Sequence, residues 1–192
     1  MHFINISDYF LVAWFLLIVI MNLERLIHSS KNKINFIGKP SINPMLFHIG
    51  KITMFTTWLI LLLTFLGIIH TKINFKLAPD IIISIFITIS GMLIAGGLLN
   101  LKNNLRAGLP TNKTKLITKG IYNYTRNPLH LGAFLFAIVT LAYMPYIYVL
   151  VLVVTFVVTH HAMTLSEEKF LKKTFKEKYV NYAKKTPRYF FK

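Results

Sequence analysis

Polar chemistry in this chain is confined to two stretches, residues 100–130 and residue 160 to the C-terminus. The first contains Gly120-Ile-Tyr-Asn-Tyr-Thr-Arg-Asn-Pro-Leu-His-Leu-Gly132. Gly120 permits a turn, Tyr122 and Tyr124 follow at i, i+2, and Pro128 suits the first position of a helix. Arg126 beside such a helix start, where backbone amides have no intrahelical acceptor, favours an anionic group. The second stretch holds Glu167 and Glu168, which with Glu177 make up half of the six acids. Carboxylates this scarce, at the inner end of an apolar helix, invite a role beyond complementing a helix dipole. His160 and His161 stand one heptad before Glu167 and Glu168, so each His shares a helix face with a Glu. A metal centre needs three or four ligands in fixed geometry. With no third His nearby on that helix and no Cys in the chain, no metal is expected. His130 reads first as a polar interface residue close to the arginine motif.

These residues are carried by a chain of unusual composition. Its 192 residues include 22 Lys+Arg against 6 Asp+Glu, a formal charge of +16, yet 55% are hydrophobic and the mean hydropathy is +0.57. Disorder is excluded by the apolar content, and a disulfide-stapled secreted fold by the absence of cysteine. Nucleic-acid binding would explain the charge but not the apolar bulk, so no nucleic acid is expected as a partner. A membrane protein explains both if the cations gather on one side.

Five apolar runs, residues 9–23, 52–69, 81–99, 129–143 and 146–165, approach the roughly 20 residues that cross a bilayer. The fourth and fifth meet at Met144-Pro145 and predict a tight helical hairpin. Asp8 precedes the first run with no Lys or Arg, and no small-residue cleavage site follows, so the first run reads as a retained span rather than a signal peptide. Of the Lys and Arg residues, five lie between the first and second runs, two between the second and third, six between the third and fourth, and nine in the tail. Five spans with the N-terminus outside place 20 of the 22 on the cytoplasmic side. Leu171, Phe175, Tyr179 and Tyr182 fall on one helical face with lysines around the rest, the pattern of an amphipathic helix on a membrane surface touching anionic lipid headgroups. The expected fold is therefore an all-α integral membrane protein of about five transmembrane helices, with the last two a hairpin and an amphipathic C-terminal helix on the cytoplasmic side. Residues 1–99 carry three spans and residues 100–192 the chemistry, within one membrane domain.

The run from Gly120 to Gly132 resembles the G-x-Y-x-x-x-R-[HN]-P-x-Y-x-G signature of the isoprenylcysteine carboxyl methyltransferase family, to which phospholipid N-methyltransferases look similar. Glu167-Glu168-x-x-Leu171-x-x-x-Phe175-x-x-x-Tyr179-x-x-Tyr182 and Thr186-Pro187-Arg188 are similar to the ending of the same family. The resemblance covers about residues 96–192. It implies an integral membrane methyltransferase that uses S-adenosylmethionine, releases S-adenosylhomocysteine, and holds the cofactor at the cytoplasmic ends of its last helices without a Rossmann domain. A lipophilic substrate would enter from the bilayer. Carried onto this sequence, the cofactor end falls on Leu116, Gly120, Tyr122, Tyr124, Arg126, Asn127, Pro128, Leu131, Glu167 and Glu168. The catalytic candidates are Arg126, Glu167, Glu168, His130 and Arg188.

The chemistry of those side chains suits the implied roles. Tyr122 and Tyr124 offer π-faces to a sulfonium or a purine. Arg126 suits a carboxylate bidentately. Glu167 or Glu168 suits an ammonium, or orients Arg126. Methyl transfer is an in-line displacement in which positioning contributes most, and no metal is required. A carboxylate acceptor needs no base, whereas an amine or thiol needs one or a desolvated pocket; His130 or a tail carboxylate is then the candidate. Three positions depart from the pattern: Asn127 in place of His, His130 in place of Tyr, and Lys176 where Gly follows the Phe. The first two bear on the acceptor end. The expected reaction is methyl transfer to an isoprenylcysteine carboxylate-like acceptor, with a phospholipid amine or a lipophilic thiol as alternatives. A protein similar to NADPH-dependent sterol reductases, or a non-catalytic lipid-binding protein, are the readings of another class.

Overall fold

The structure is a computed structural model that describes residues 38–69, 79–111 and 114–190, with individual positions between 12 and 27. The expected span over residues 9–23 lies partly outside the described residues, as do Arg25, Lys31, Lys33, Lys72, Lys76, Lys113 and Lys192. Helices run in the order α1 (Val12–Met21), α2 (Pro44–Phe65), α3 (Asp80–Leu101), α4 (Pro128–Tyr143), α5 (Ile147–Phe175) and α6 (Glu177–Lys185). Short 3-10 turns occupy Lys102–Asn104 and Gly120–Asn123. Among the described residues the sole β pairing is an isolated antiparallel bridge between Lys39 and Leu109, which ties two loops together.

Among the described residues three helices, α2, α3 and α5, are long and apolar enough to cross a membrane, and α1 and α4 are shorter apolar helices. Their outward residues are apolar too: Ile52, Phe55, Ile81, Met92, Ile147 and Val158 are all exposed. In water such a surface would be unstable; against lipid it is the expected exterior. The most extensive pairings are α3 with α4 and α2 with α5, so helices from both halves of the chain interleave. Trp58 of α2 packs into the cores on both sides of it, one formed with Leu61, Ile87 and Phe136, the other with Ala137, Val153 and Phe156.

Close approach of α3 and α4 depends on small residues. Ser90 donates its hydroxyl to the Gly132 carbonyl at 2.7 Å, and a Cβ on Gly132 would lie 2.8 Å from the Ser90 carbonyl oxygen and 2.7 Å from Ile94. The hairpin is also present. Three residues join α4 to α5, and Met144 at the bend is buried with its sulfur 2.9 Å from the Thr64 hydroxyl.

Three boundaries differ from the sequence expectation: α2 ends at Phe65 rather than near residue 69, and two others have a clear cause. Helix α2 begins at Pro44, because the Asn43 side chain accepts hydrogen bonds from the amides of Met45 and Leu46 at 3.0 and 3.4 Å. Lys51 is therefore inside α2 and not in a loop. The apolar run marks only the lipid-facing part of the helix, whereas the Asn-Pro cap marks its start. Helix α5 continues without a break past residue 165 to Phe175. At 29 residues it is about 43 Å long, beyond the roughly 30 Å of a hydrocarbon core. The face formed by Leu171, Phe175, Tyr179 and Tyr182 is consequently split between α5 and α6. The break falls at Lys176, where φ is 47° and ψ is −124°, a conformation costly for any residue with a Cβ.

Two substitutions test this packing. Gly132→Ala will destabilise the α3–α4 contact by about 1–3 kcal/mol, read as a lower melting temperature in detergent. Lys176→Gly will raise stability by about 1 kcal/mol, since relief of the positive φ exceeds the added freedom of the unfolded chain.

Candidate active site

Glu168 is the centre of the polar structure. It projects from α5 into protein and is only 8% exposed. Its Oε1 accepts from Asn127 Nδ2 at 2.9 Å and pairs with Arg126 Nη2 at 3.3 Å. Its Oε2 accepts from both Nε and Nη2 of Arg188, at 3.1 and 3.0 Å. A buried carboxylate is tolerated only when its lone pairs are met by donors, and here two guanidinium groups and an amide meet them. The start of α4 thus already meets one anion from the chain itself, on the Nη2 side of Arg126.

Backbone contacts reinforce the clamp. The Arg126 amide donates to the Pro187 carbonyl at 2.9 Å. Thr125 Oγ1 donates to the Arg188 carbonyl at 3.0 Å, and Asn127 Nδ2 also approaches it at 3.3 Å. One turn away, the Tyr182 hydroxyl donates to the Tyr122 carbonyl at 2.7 Å, and Thr186 Oγ1 to the Asn123 carbonyl at 3.3 Å. Gly120 opens this loop with φ of 64°, and a Cβ there would collide with the Asn100 side chain. Pro128 is buried at the first position of α4. Loop 120–128 and segment 182–188 therefore form one layer across the end of the helices.

Among the described residues, two donors beside the clamp have no partner. Arg126 Nε and the Tyr179 hydroxyl are both buried without a hydrogen bond. Burial, helped by the Glu168 charge, holds the Tyr179 phenol up at about 12, so it stays a donor at neutral pH. The hydrogen bond to Glu168 raises Arg188 above its ordinary value, which keeps the pair ionised.

A second polar cluster lies on the membrane side of the clamp. His130 of α4 and His160 of α5 stand edge to face with ring centroids 5.7 Å apart. His161 Nδ1 is 3.0 Å from the Tyr189 hydroxyl, and the Tyr189 ring packs on Phe134 at 5.6 Å. Lys51 interacts electrostatically with His130, His160 and Glu167. Among the described residues, no group of three or more His, Cys, Asp or Glu is placed to hold a metal ion.

The expected site residues fall in distinct places. Arg126, Asn127, Glu168 and Arg188 meet directly. Glu167 is not among them; it interacts electrostatically with Lys51. Tyr122 is buried under Tyr182, while Tyr124 is 76% exposed and stands apart from the clamp. Leu131 is buried against Leu93 and Leu135 with Ile121 and Tyr189 beside it. Leu116 lines an open cleft of about 770 Å³ between residues 114–123 and α6, where Lys115, Lys178, Lys185 and Tyr182 also contribute. Lys51 and Tyr189 were not expected from the sequence. The Asn43-Pro44 cap is the signal that would have put Lys51 on a helix; Tyr189 carries none beyond its place next to Arg188.

Compared with known families, residues 81–178 match phospholipid methyltransferase, just over half of the chain. The chain belongs to the phospholipid methyltransferase family. This family match spans α3, the arginine loop, the hairpin and the start of α6, so it takes in Arg126 and Glu168 but stops before Arg188. A comparison with individually curated proteins gives no match. Membership accords with the resemblance noted in the sequence and implies methyltransferase activity in a membrane protein.

Glu168→Gln will leave Arg126 and Arg188 facing each other without their anion. The expected loss is about 3 kcal/mol, the low end for a broken buried pair because Arg188 is partly exposed. Amide hydrogen exchange should accelerate first in residues 182–190; unchanged protection there would show that the clamp does not hold the layer together.

Proposed function

We propose that this phospholipid methyltransferase family member moves a methyl group from S-adenosylmethionine to a lipophilic acceptor drawn from the bilayer, at the cytoplasmic end of its helices. The observation that carries the reading is the convergence on Glu168 of two segments 61 residues apart, which leaves the buried Arg126 Nε and Tyr179 hydroxyl as unmet donors. Orphaned donors in protein interiors are costly and point to a missing acceptor. The cofactor's carboxylate supplies one.

Within this reading Arg126 holds the carboxylate through its free edge while Glu168 fixes the guanidinium plane. Glu167, next to Glu168 on α5, is the candidate partner of the cofactor's ammonium. When bound, S-adenosylmethionine supplies an electrophilic sulfonium methyl. Residues of the chain contribute alignment and exclusion of water, the two terms that dominate an in-line displacement. The excess of cations between the first and second runs, between the third and fourth, and in the tail supports a cytoplasmic orientation. Both an isoprenylcysteine carboxylate and a phospholipid amine are lipophilic acceptors that would suit such a reaction. Departures at Asn127 and His130, together with the family matched, weigh toward the amine.

Binding separates this reading from its competitors. S-adenosylhomocysteine will raise the melting temperature of the detergent-solubilised protein and NADPH will not. Arg126→Ala will weaken S-adenosylhomocysteine at least about tenfold, equivalent to about 1.4 kcal/mol. Lys173→Ala, on an exposed position of α5, will leave it unchanged. Equal effects of the two variants, or stabilisation by NADPH alone, would sink the proposal.

A further inference from the structure

The second polar cluster has a use that the cofactor end does not absorb. His160 is 1% exposed and stacks edge-on against Phe156, with ring centroids 4.5 Å apart. Its Nδ1 lies 3.1 Å from the Phe156 carbonyl oxygen. A carbonyl only accepts, so Nδ1 carries the proton and Nε2 holds a lone pair. That Nε2 is buried with no hydrogen-bond partner. An unmet acceptor in such surroundings costs free energy that a plain packing role does not explain.

Its position suits a reacting group. His160 precedes Glu168 by eight residues on one continuous helix, about 12 Å along the axis. His130, whose ring faces it, begins one turn after Arg126. The imidazole therefore lies on the membrane side of the clamp, the side from which a lipophilic acceptor would come under the reading above. The charged and titratable groups around it are Lys51 from α2, His130 from α4, His161 and Glu167 from α5, and Tyr189 from the C-terminal segment.

We infer that His160 is the proton acceptor of the reaction, taking a proton through Nε2 from an acceptor that arrives as an ammonium or a thiol. The inference rests on the methyl-transfer reading above. The N–H or S–H proton passes to Nε2, and the freed electron pair forms the new bond to the methyl carbon. The bond from that carbon to the sulfonium sulfur breaks, and its electrons stay on sulfur as a neutral thioether. A carboxylate acceptor has no proton to lose and makes no demand on His160.

The test uses the full chain in detergent micelles with three acceptors: phosphatidylethanolamine, a long-chain alkanethiol and a farnesylcysteine carboxylate. The amine or the thiol will be methylated, and which one identifies the source of the proton. His160→Gln will lower kcat on that acceptor about 100-fold at pH 7, with KM within about twofold and S-adenosylhomocysteine affinity unchanged. The deficit will shrink as the pH approaches the acceptor's own pKa. A readout independent of turnover is the 15N resonance of His160 in the wild-type protein with S-adenosylhomocysteine bound. Phosphatidylethanolamine or the alkanethiol will shift Nε2, and phosphatidylcholine, which has no N–H, will not. Unchanged kcat in His160→Gln, methylation of the farnesylcysteine carboxylate alone, or an Nε2 resonance indifferent to all three probes overturns the assignment while intact S-adenosylhomocysteine binding leaves the methyltransferase reading standing. Loss of that binding in the wild type removes both. If His160→Gln and His160→Asn both fail to fold, the wild-type resonance decides.

Discussion

A carboxylate taken out of water must be given donors or be abandoned, and Glu168 shows what that rule can organise. Four donor contacts converge on its two oxygens from three side chains. Two of those side chains flank the start of α4, and the third follows α6. Since a half-paired buried charge would be worse than none, loop 120–128 and segment 182–188 have little freedom to sit elsewhere. The backbone bonds from Arg126, Thr125 and Tyr182 then close the layer.

The same rule divides the molecule by depth. Helix surfaces that face outward are apolar and exposed, as a lipid solvent requires. Polar side chains are drawn inward and toward one end, where protein groups replace water as hydrogen-bond partners. Thr53, Thr57, Thr64, Thr140 and Thr164 all return their hydroxyls to carbonyls one turn back. His160 does this with one nitrogen only. The excess length of α5 carries Glu167 and Glu168 past the apolar zone while keeping them rigidly linked to that histidine.

Much of the helical frame was legible in the residues. The third and fourth runs, 81–99 and 129–143, lie within one or two residues of Asp80–Leu101 and Pro128–Tyr143, because an uncharged apolar run with Pro at its edge leaves few alternatives. The break between α5 and α6 was not legible. Lys176 holds a glycine-like conformation, and periodicity alone runs straight through it. Lys51 escapes sequence reading for a related reason: a charge beside an apolar run reads as a loop cation until the Asn43-Pro44 cap ahead of it is recognised.

By itself the sequence determined the membrane class, the hairpin and the two polar segments that meet at Glu168. Those follow from composition, run length and local spacing, which are properties of neighbouring residues. Only the tertiary structure decided which carboxylate joins the arginines, that Glu168 and not Glu167 meets Arg126 and Arg188, and that Tyr124 stands outside. Adjacent residues on a helix point about 100° apart. Which of two neighbouring glutamates meets a loop 40 residues away is therefore settled by how α4 and α5 pack, and pairwise spacing along the chain does not contain it.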